Sequence, residues 1–435
     1  MLDSDAQAPL KTTPDNPARV AVTPNGTLLR SIVEVHRPDL EVYADFYREV
    51  HSDPEISGME SETAKRVASH LEKLGYEVHS GIGGHGVAGV FRNGPGGRTV
   101  LLRAELDALP VLELADVPYR SEKRMVDRYG NERPVMHACG HDMNMAALLA
   151  AAALLRASAS RWAGTVVIVF QPDEEETGGA RAMVEDGLYD RVPVPDLMLG
   201  QHLVPSVAGT VAIRSGPVLV AADSVNIRII GGPCDGSNNP QLCVDPIPLA
   251  MRTVLSLQEA VRKEIGPGED ATVACWGFHA GEPGNDYVAY ADVLLDIKTV
   301  KAGVRRRVLA FVERHFRDAC RSAGVPRDPI FNTTVRAPLT ANDDAISGPI
   351  SRAFGEYFAA DAGKMTFTRA CEDFSTLGAS YNVPYAYWNY GGTPRDAREP
   401  VARNHSPFFA PAIQPTLQVG TDAMALAALT FLAIR

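Results

Sequence analysis

Apolar positions repeat with two different rhythms along this chain, and the rhythm changes near residue 224. Before that point helical spacing runs through Leu40 to His51, Ser61 to Leu74 and Met143 to Leu155. In the last of these, Ala146, Ala150 and Ala153 form a small-residue face suited to close packing on a sheet. Continuous apolar runs, Thr99 to Leu102 and Thr165 to Phe170, read as buried strands, and a short one at Leu197 to Gly200 follows. Strand and helix alternate, which predicts a largely parallel sheet with helices on its faces. Thr416 to Ile434 reads as a final amphipathic helix that returns to the same layer.

From Ser224 onward Val225, Ile227 and Ile229 alternate with polar residues, as in a strand with one wet face. Helical spacing follows from Ile247 to Ile265, strand patterns at Thr272 to Phe278 and Val293 to Ile297, a helix at Val304 to Ala323, and a strand near Ile330 to Val335. That β-α-β-β-α-β order predicts a ferredoxin-like unit. The expected organisation is an N-terminal tail over 1–39 and a main α/β domain in two parts, 40–222 and 336–435. The α+β domain over 223–335 is inserted between them. A chain of 435 residues is long enough for two such cores.

Composition narrows the function classes. Hydrophobic content of 45% with 22% charged residues is ordinary for a globular protein. A formal charge of −11 without a basic stripe argues against nucleic acid as a partner. Arg305-Arg-Arg307 is expected to be the solvated face of its helix. No segment approaches the roughly 20 apolar residues that span a bilayer, and residues 1–38 contain no apolar leader core. The six cysteines are scattered, which suits a reducing cytoplasm better than a disulfide framework.

The chemistry concentrates in His137-Ala-Cys139-Gly-His141-Asp142, which puts a thiol and two imidazoles within six residues ahead of a helix. Gly140 permits a tight turn, so Cys139 and His141 can point at one centre. A buried cysteine beside hydrogen-bonded histidines is the plain alternative. Three later segments weigh against it. The apolar run ending at Phe170 leads into Gln171-Pro-Asp173-Glu174-Glu175-Glu176, four carboxylates that repel one another unless a cation lies between them. A solvated acidic loop is the competing reading there. The run ending at Gly200 delivers His202, and Arg403-Asn-His405-Ser-Pro407 follows the apolar Tyr385 to Trp388 and a Gly391-Gly392 turn. Cys139, His141, a Glu, His202 and His405 make five ligands of suitable type, more than one closed structural zinc takes.

These residues carry a resemblance. The chain is similar to the dinuclear metal amidohydrolases that include bacterial aminoacylases, hippurate hydrolases and plant auxin-conjugate hydrolases, a branch of the aminoacylase and carboxypeptidase metallopeptidase superfamily. The likeness runs from about residue 40 to the C-terminus. It covers Leu102 to Pro110, His137 to Asp142, Phe170 to Glu175 with Gly178-Gly179, Gly200-Gln-His202, Cys371-Glu372-Asp373-Phe374 and His405. The resemblance implies a zinc-peptidase-like catalytic domain with an inserted lid and dimerisation domain, and hence a homodimer. It also implies that Cys139 bridges two divalent ions, with His141, Glu175, His202 and His405 completing their ligands and Glu174 as general base. Asp107 would sit behind the metals, holding an imidazole in one tautomer. Zinc is the first expectation for a thiolate site, and manganese or cobalt also fit such ligands.

The chain departs from the family pattern in the inserted domain. Relatives carry a histidine there that steadies the developing oxyanion; this chain reads Gly231-Gly-Pro-Cys-Asp235-Gly236-Ser-Asn-Asn-Pro240-Gln before Asp245-Pro-Ile247. Gly236 or Asp235 falls at that position, and Asn238, Asn239, Gln241 or His279 are candidate replacements, with Glu372 a further candidate for substrate contact. The implied function is hydrolysis of the amide of an N-acyl amino acid or small peptide-like substrate by a metal-activated water. Two alternatives stay open at this point, a condensation or cyclisation at the same metals and a noncatalytic metal-holding binder.

Overall fold

A computed structural model describes residues 26–232, 244–266, 268–282, 288–325, 327–397 and 400–434. Among these, one compact unit comprises 219–340 and 368–372, and a larger one comprises 26–218, 341–367 and 373–434.

The larger unit is built on a nine-stranded sheet. Its centre is parallel, Trp162–Gln171, Thr99–Glu105, Leu197–Val207 and Tyr385–Thr393 lying side by side. Antiparallel strands flank it: the hairpin Glu77–Ile82 and Gly86–Asn93 on one side, and Val211–Ile213 against Tyr385–Thr393 on the other. Trp162–Gln171 is buried along almost its whole length, as expected of a strand covered on both faces. Helix His141–Ala157 is rich in Ala, Leu and Met, strong helix formers. It is buried all round from His141 to Leu155, packed on strands and between helices Glu41–Ser52 and Ile413–Leu429. A small-residue contact lets it approach the last helix, since a Cβ on Gly420 would lie 2.9 Å from that of Ala147.

Three sequence expectations need correction here. The tail predicted through residue 39 gives way at Gly26 to a helix, Gly26–His36, that buries Leu29, Ile32 and Val33. The last helix ends at Leu429 and is buried all round rather than amphipathic. Ala433–Ile434 then pairs with Trp162 and Ala163 as a short strand. Arg305 is no solvated residue: it grips the fully buried Asp223 with two bonds of 2.7 Å, an arrangement that needs both partners because either charge alone would be stranded.

The smaller unit is a four-stranded antiparallel sheet with Ala271–Ala280 and Ile330–Ala337 at the edges and Tyr290–Thr299 and Ala221–Ile230 between. Helices Pro246–Ile265 and Ala302–Ser322 complete the predicted β-α-β-β-α-β order. Val304, Val308, Val312, Phe316 and Cys320 recur every fourth residue and form the buried stripe of the second helix. The first begins with Asp245, whose side chain accepts from the Ile247 N–H, and Pro246.

Candidate metal centre

The parallel strands of the larger unit end in the loops that carry the predicted ligands. Thr99–Glu105 is followed by Asp107, Trp162–Gln171 by Glu174 and Glu175, and His202 lies within Leu197–Val207. Cys139 precedes the helix that His141 opens, and the turn between them rests on Gly140 at φ 88°. A side chain there would be strained and would meet Leu203 at 2.7 Å. Gly140→Ala should therefore cost about 1–2 kcal/mol from the left-handed backbone alone, visible as a lowered Tm together with weaker metal retention. His405 stands at φ 70° and donates its backbone N–H to Ala138 O at 2.8 Å, so its loop is tied directly to the cysteine loop.

The five side chains converge. Cys139, His141 and His202 place ligand atoms within 4.8 Å of one another, and so do Cys139, Glu175 and His405. Cys139 Sγ is 3.5 Å from His202 Nε2, and His405 Nε2 is 3.4 Å from Glu175 Oε1. His141 Nε2 lies 3.7 Å from Glu174 and 3.9 Å from Glu175. Two imidazoles are oriented by their other nitrogen: His141 Nδ1 donates to the Asp107 carbonyl at 2.8 Å and His202 Nδ1 to Leu203 O at 2.7 Å. This leaves each Nε2 facing the centre.

Asp107 meets His141 through its backbone as well as its carboxylate. Its backbone carbonyl takes the His141 proton, while the carboxylate stands 3.4 Å from that nitrogen and accepts from Ser57 Oγ at 2.7 Å and the Glu175 N–H at 3.0 Å. One residue thus sets both an imidazole tautomer and the backbone of the carboxylate turn.

The donor set fits divalent cations. His141 Nε2 and Glu175 Oε1 are buried without a hydrogen-bond partner, a costly state that a cation relieves. Burial, reinforced by Glu175 and Glu174, pushes the Cys139 thiol well above its ordinary range. Burial works against a charged His141, yet Asp107, Glu105 and Glu175 raise it to about 10. Protein alone therefore retains protons where a cation would release them, as expected of ligands that bind metal deprotonated.

Gly236, Asn238 and Asn239, with Asp235 and Gln241, lie outside the described residues. His279 is exposed near the end of Ala271–Ala280, and Glu372 is buried in the segment Thr368–Glu372, both in the smaller unit. Sequence reasoning also passed over residues that shape the site. Asn404 donates to Cys139 O at 2.8 Å and Leu203 O at 3.1 Å, joining two ligand segments; an amide next to His405 was the available signal. Asn144 bonds Glu105, the Leu203 N–H and Tyr390 OH, and is buried one turn after Cys139.

Comparison with known proteins identifies the family. The chain is 34% identical to the hippurate hydrolase of Campylobacter jejuni over 302 residues, 68% of this chain and 74% of the relative. It is 30% identical to thermostable carboxypeptidase 2 of Saccharolobus solfataricus over 408 residues, 92% of this chain and 99% of the relative. In fold it resembles the Bacillus subtilis YXEP protein, described as a dinuclear metal binding peptidase, with a TM-score of 0.70 at 24% identity, covering 90% of this chain and 98% of that one. The model of the peptidase family M20/M25/M40 matches residues 101–430, and the chain belongs to this family.

Proposed function

We propose that Cys139, His141, Glu175, His202 and His405 hold two divalent cations, and that Glu174 serves as general base in hydrolysing the amide of an N-acyl amino acid or small peptide-like substrate. The carrying observation is that Cys139 belongs to both thiol-containing triads, whereas Glu174 joins a third group, with His141 and Glu175, that lacks the thiol. Cations held there would supply Lewis acidity toward the scissile carbonyl and acidify water. Glu174 takes the proton from the attacking water and returns it to the leaving nitrogen, a shuttle that needs a carboxylate free of metal. Asp107 keeps the Glu175 turn and the His141 ring in place during that exchange. Zinc is the preferred ion, given the thiolate.

The substrate class is supported by the hydrolysis of N-acyl amino acids and peptides that the relatives' names describe. A homodimer through the smaller unit is supported by Met251 and Leu255, 54% and 69% exposed on helix Pro246–Ile265. A reducing cytoplasm is supported by cysteines scattered along the sequence rather than spaced as a disulfide framework.

The test is a panel of N-acetyl and N-benzoyl amino acids and dipeptides, offered to chelator-stripped and zinc-reconstituted protein and followed by mass spectrometry. Turnover that needs metal, with products summing to substrate plus water, is expected. Products that sum to substrates minus water, or binding without turnover in the fully loaded protein, would overturn the hydrolytic reading.

A further inference from the structure

We propose that His51 is a positioning residue of the metal centre, clamping together the segments that carry His141 and His405. This rests on the ligand assignment above.

His51 lies in the last turn of helix Glu41–Ser52 and is fully buried. Its Nδ1 is 2.6 Å from Asp142 Oδ2 and its Nε2 is 3.0 Å from Glu113 Oε1. With a carboxylate on each side both ring nitrogens must donate, so the ring is an imidazolium between two buried anions. Burial opposes that charge, but Asp142 and Glu113 outweigh it and raise the group to about 9. The rings of Tyr119 and Tyr47, with centroids 5.2 and 5.4 Å away, enclose it.

Each anion leads to a ligand. Asp142 follows His141 directly, and its second oxygen accepts from the Met143 N–H at 2.8 Å, locking the carboxylate to the helix turn that His141 opens. Glu113 is fixed by the Ser121 N–H at 2.7 Å. The next residue, Leu114, donates to Pro407 O at 2.7 Å, two positions beyond His405. One imidazolium therefore joins the cysteine-histidine turn to the loop that supports the last histidine. A triad that merely stabilised the fold would need neither connection.

The test measures zinc affinity by competition with a chromophoric chelator for wild type, His51→Gln, Glu113→Gln and the double variant, beside the Tm of each metal-free protein. Each single variant should weaken zinc about tenfold, the low end for groups that orient metal ligands. The double variant should be no weaker than the weaker single, because both break one clamp. In cobalt-loaded protein the thiolate absorption band should shift in the same variants. Zinc affinity within twofold of wild type in both singles would overturn the clamp, whatever happens to Tm. Additive losses would overturn it too. Should His51→Gln fail to fold, Glu113→Gln decides, since it keeps the His51–Asp142 bond. Wild-type protein that takes up no zinc would instead overturn the ligand assignment.

Discussion

Glu174→Gln is expected to lower kcat by about a hundredfold to ten-thousandfold, the range for loss of a general base, with both cations still bound. The two neighbouring carboxylates look alike from His141, whose Nε2 stands 3.7 Å from one and 3.9 Å from the other. Their other neighbours separate them. Glu175 meets His405 at 3.4 Å and joins the triad with Cys139, and its own N–H is anchored on Asp107. Burial would raise the Glu175 carboxyl, but His405 and His141 hold it below its ordinary value, so it is the anion ready to meet a cation. Glutamine keeps the size and polarity of Glu174 but cannot accept a proton. Substrate binding should survive, leaving KM little changed, because the interaction removed acts only in the reaction. Glu175→Gln should do the reverse, losing metal first and activity as a consequence. Elemental analysis beside steady-state kinetics distinguishes the two. Metal loss in Glu174→Gln with retention in Glu175→Gln would exchange their roles.

Much of this site was legible because its donors are chemically unusual at strand ends. Cys139, His141, His202, the carboxylate pair and His405 need no long-range knowledge to be noticed, only the expectation that a parallel sheet presents chemistry at one edge. In this metal-dependent amidohydrolase the edge is the end of Thr99–Glu105 and Trp162–Gln171. What stayed hidden was pairing across the sequence. His51 finds Asp142 at a separation of 91 residues, and Arg103 finds Asp373 at 270. A buried charge is invisible in a linear pattern until its partner is placed.

The fold shows the same division. Periodicity announced Met143 to Leu155 as a helix with a small-residue face but left its burial on every side unstated, since Ala and Leu all round leave no polar stripe to orient it. The antiparallel hairpin Glu77–Ile82 and Gly86–Asn93 was missed because its first strand carries Gly, His and Ser among few apolar residues and Gly86 and Gly89 interrupt the apolar run of the second. Arg305 looked solvated because arginine usually is; only the buried Asp223 beside it reveals otherwise.

Cys139→Ala should strip the protein of both cations and leave no measurable turnover. The two triads that contain this sulfur share no other atom, so its removal leaves one with His141 and His202 and the other with Glu175 and His405. Two protein donors are fewer than the three that zinc keeps even at catalytic sites. The lost negative charge matters as much as the lost bond, because a coordinated thiolate offsets part of the repulsion between neighbouring dications. His202→Ala and His405→Ala give the necessary contrast, since each touches a single triad and should lower the content by about one ion. Serine in place of Cys139 keeps the shape but offers a harder oxygen that stays protonated near neutral pH, so it should resemble alanine in metal content. Elemental analysis of variants purified in parallel reads these outcomes directly. Retention of both ions by Cys139→Ala would show that the sulfur is not shared, and retention of one would assign it to a single ion.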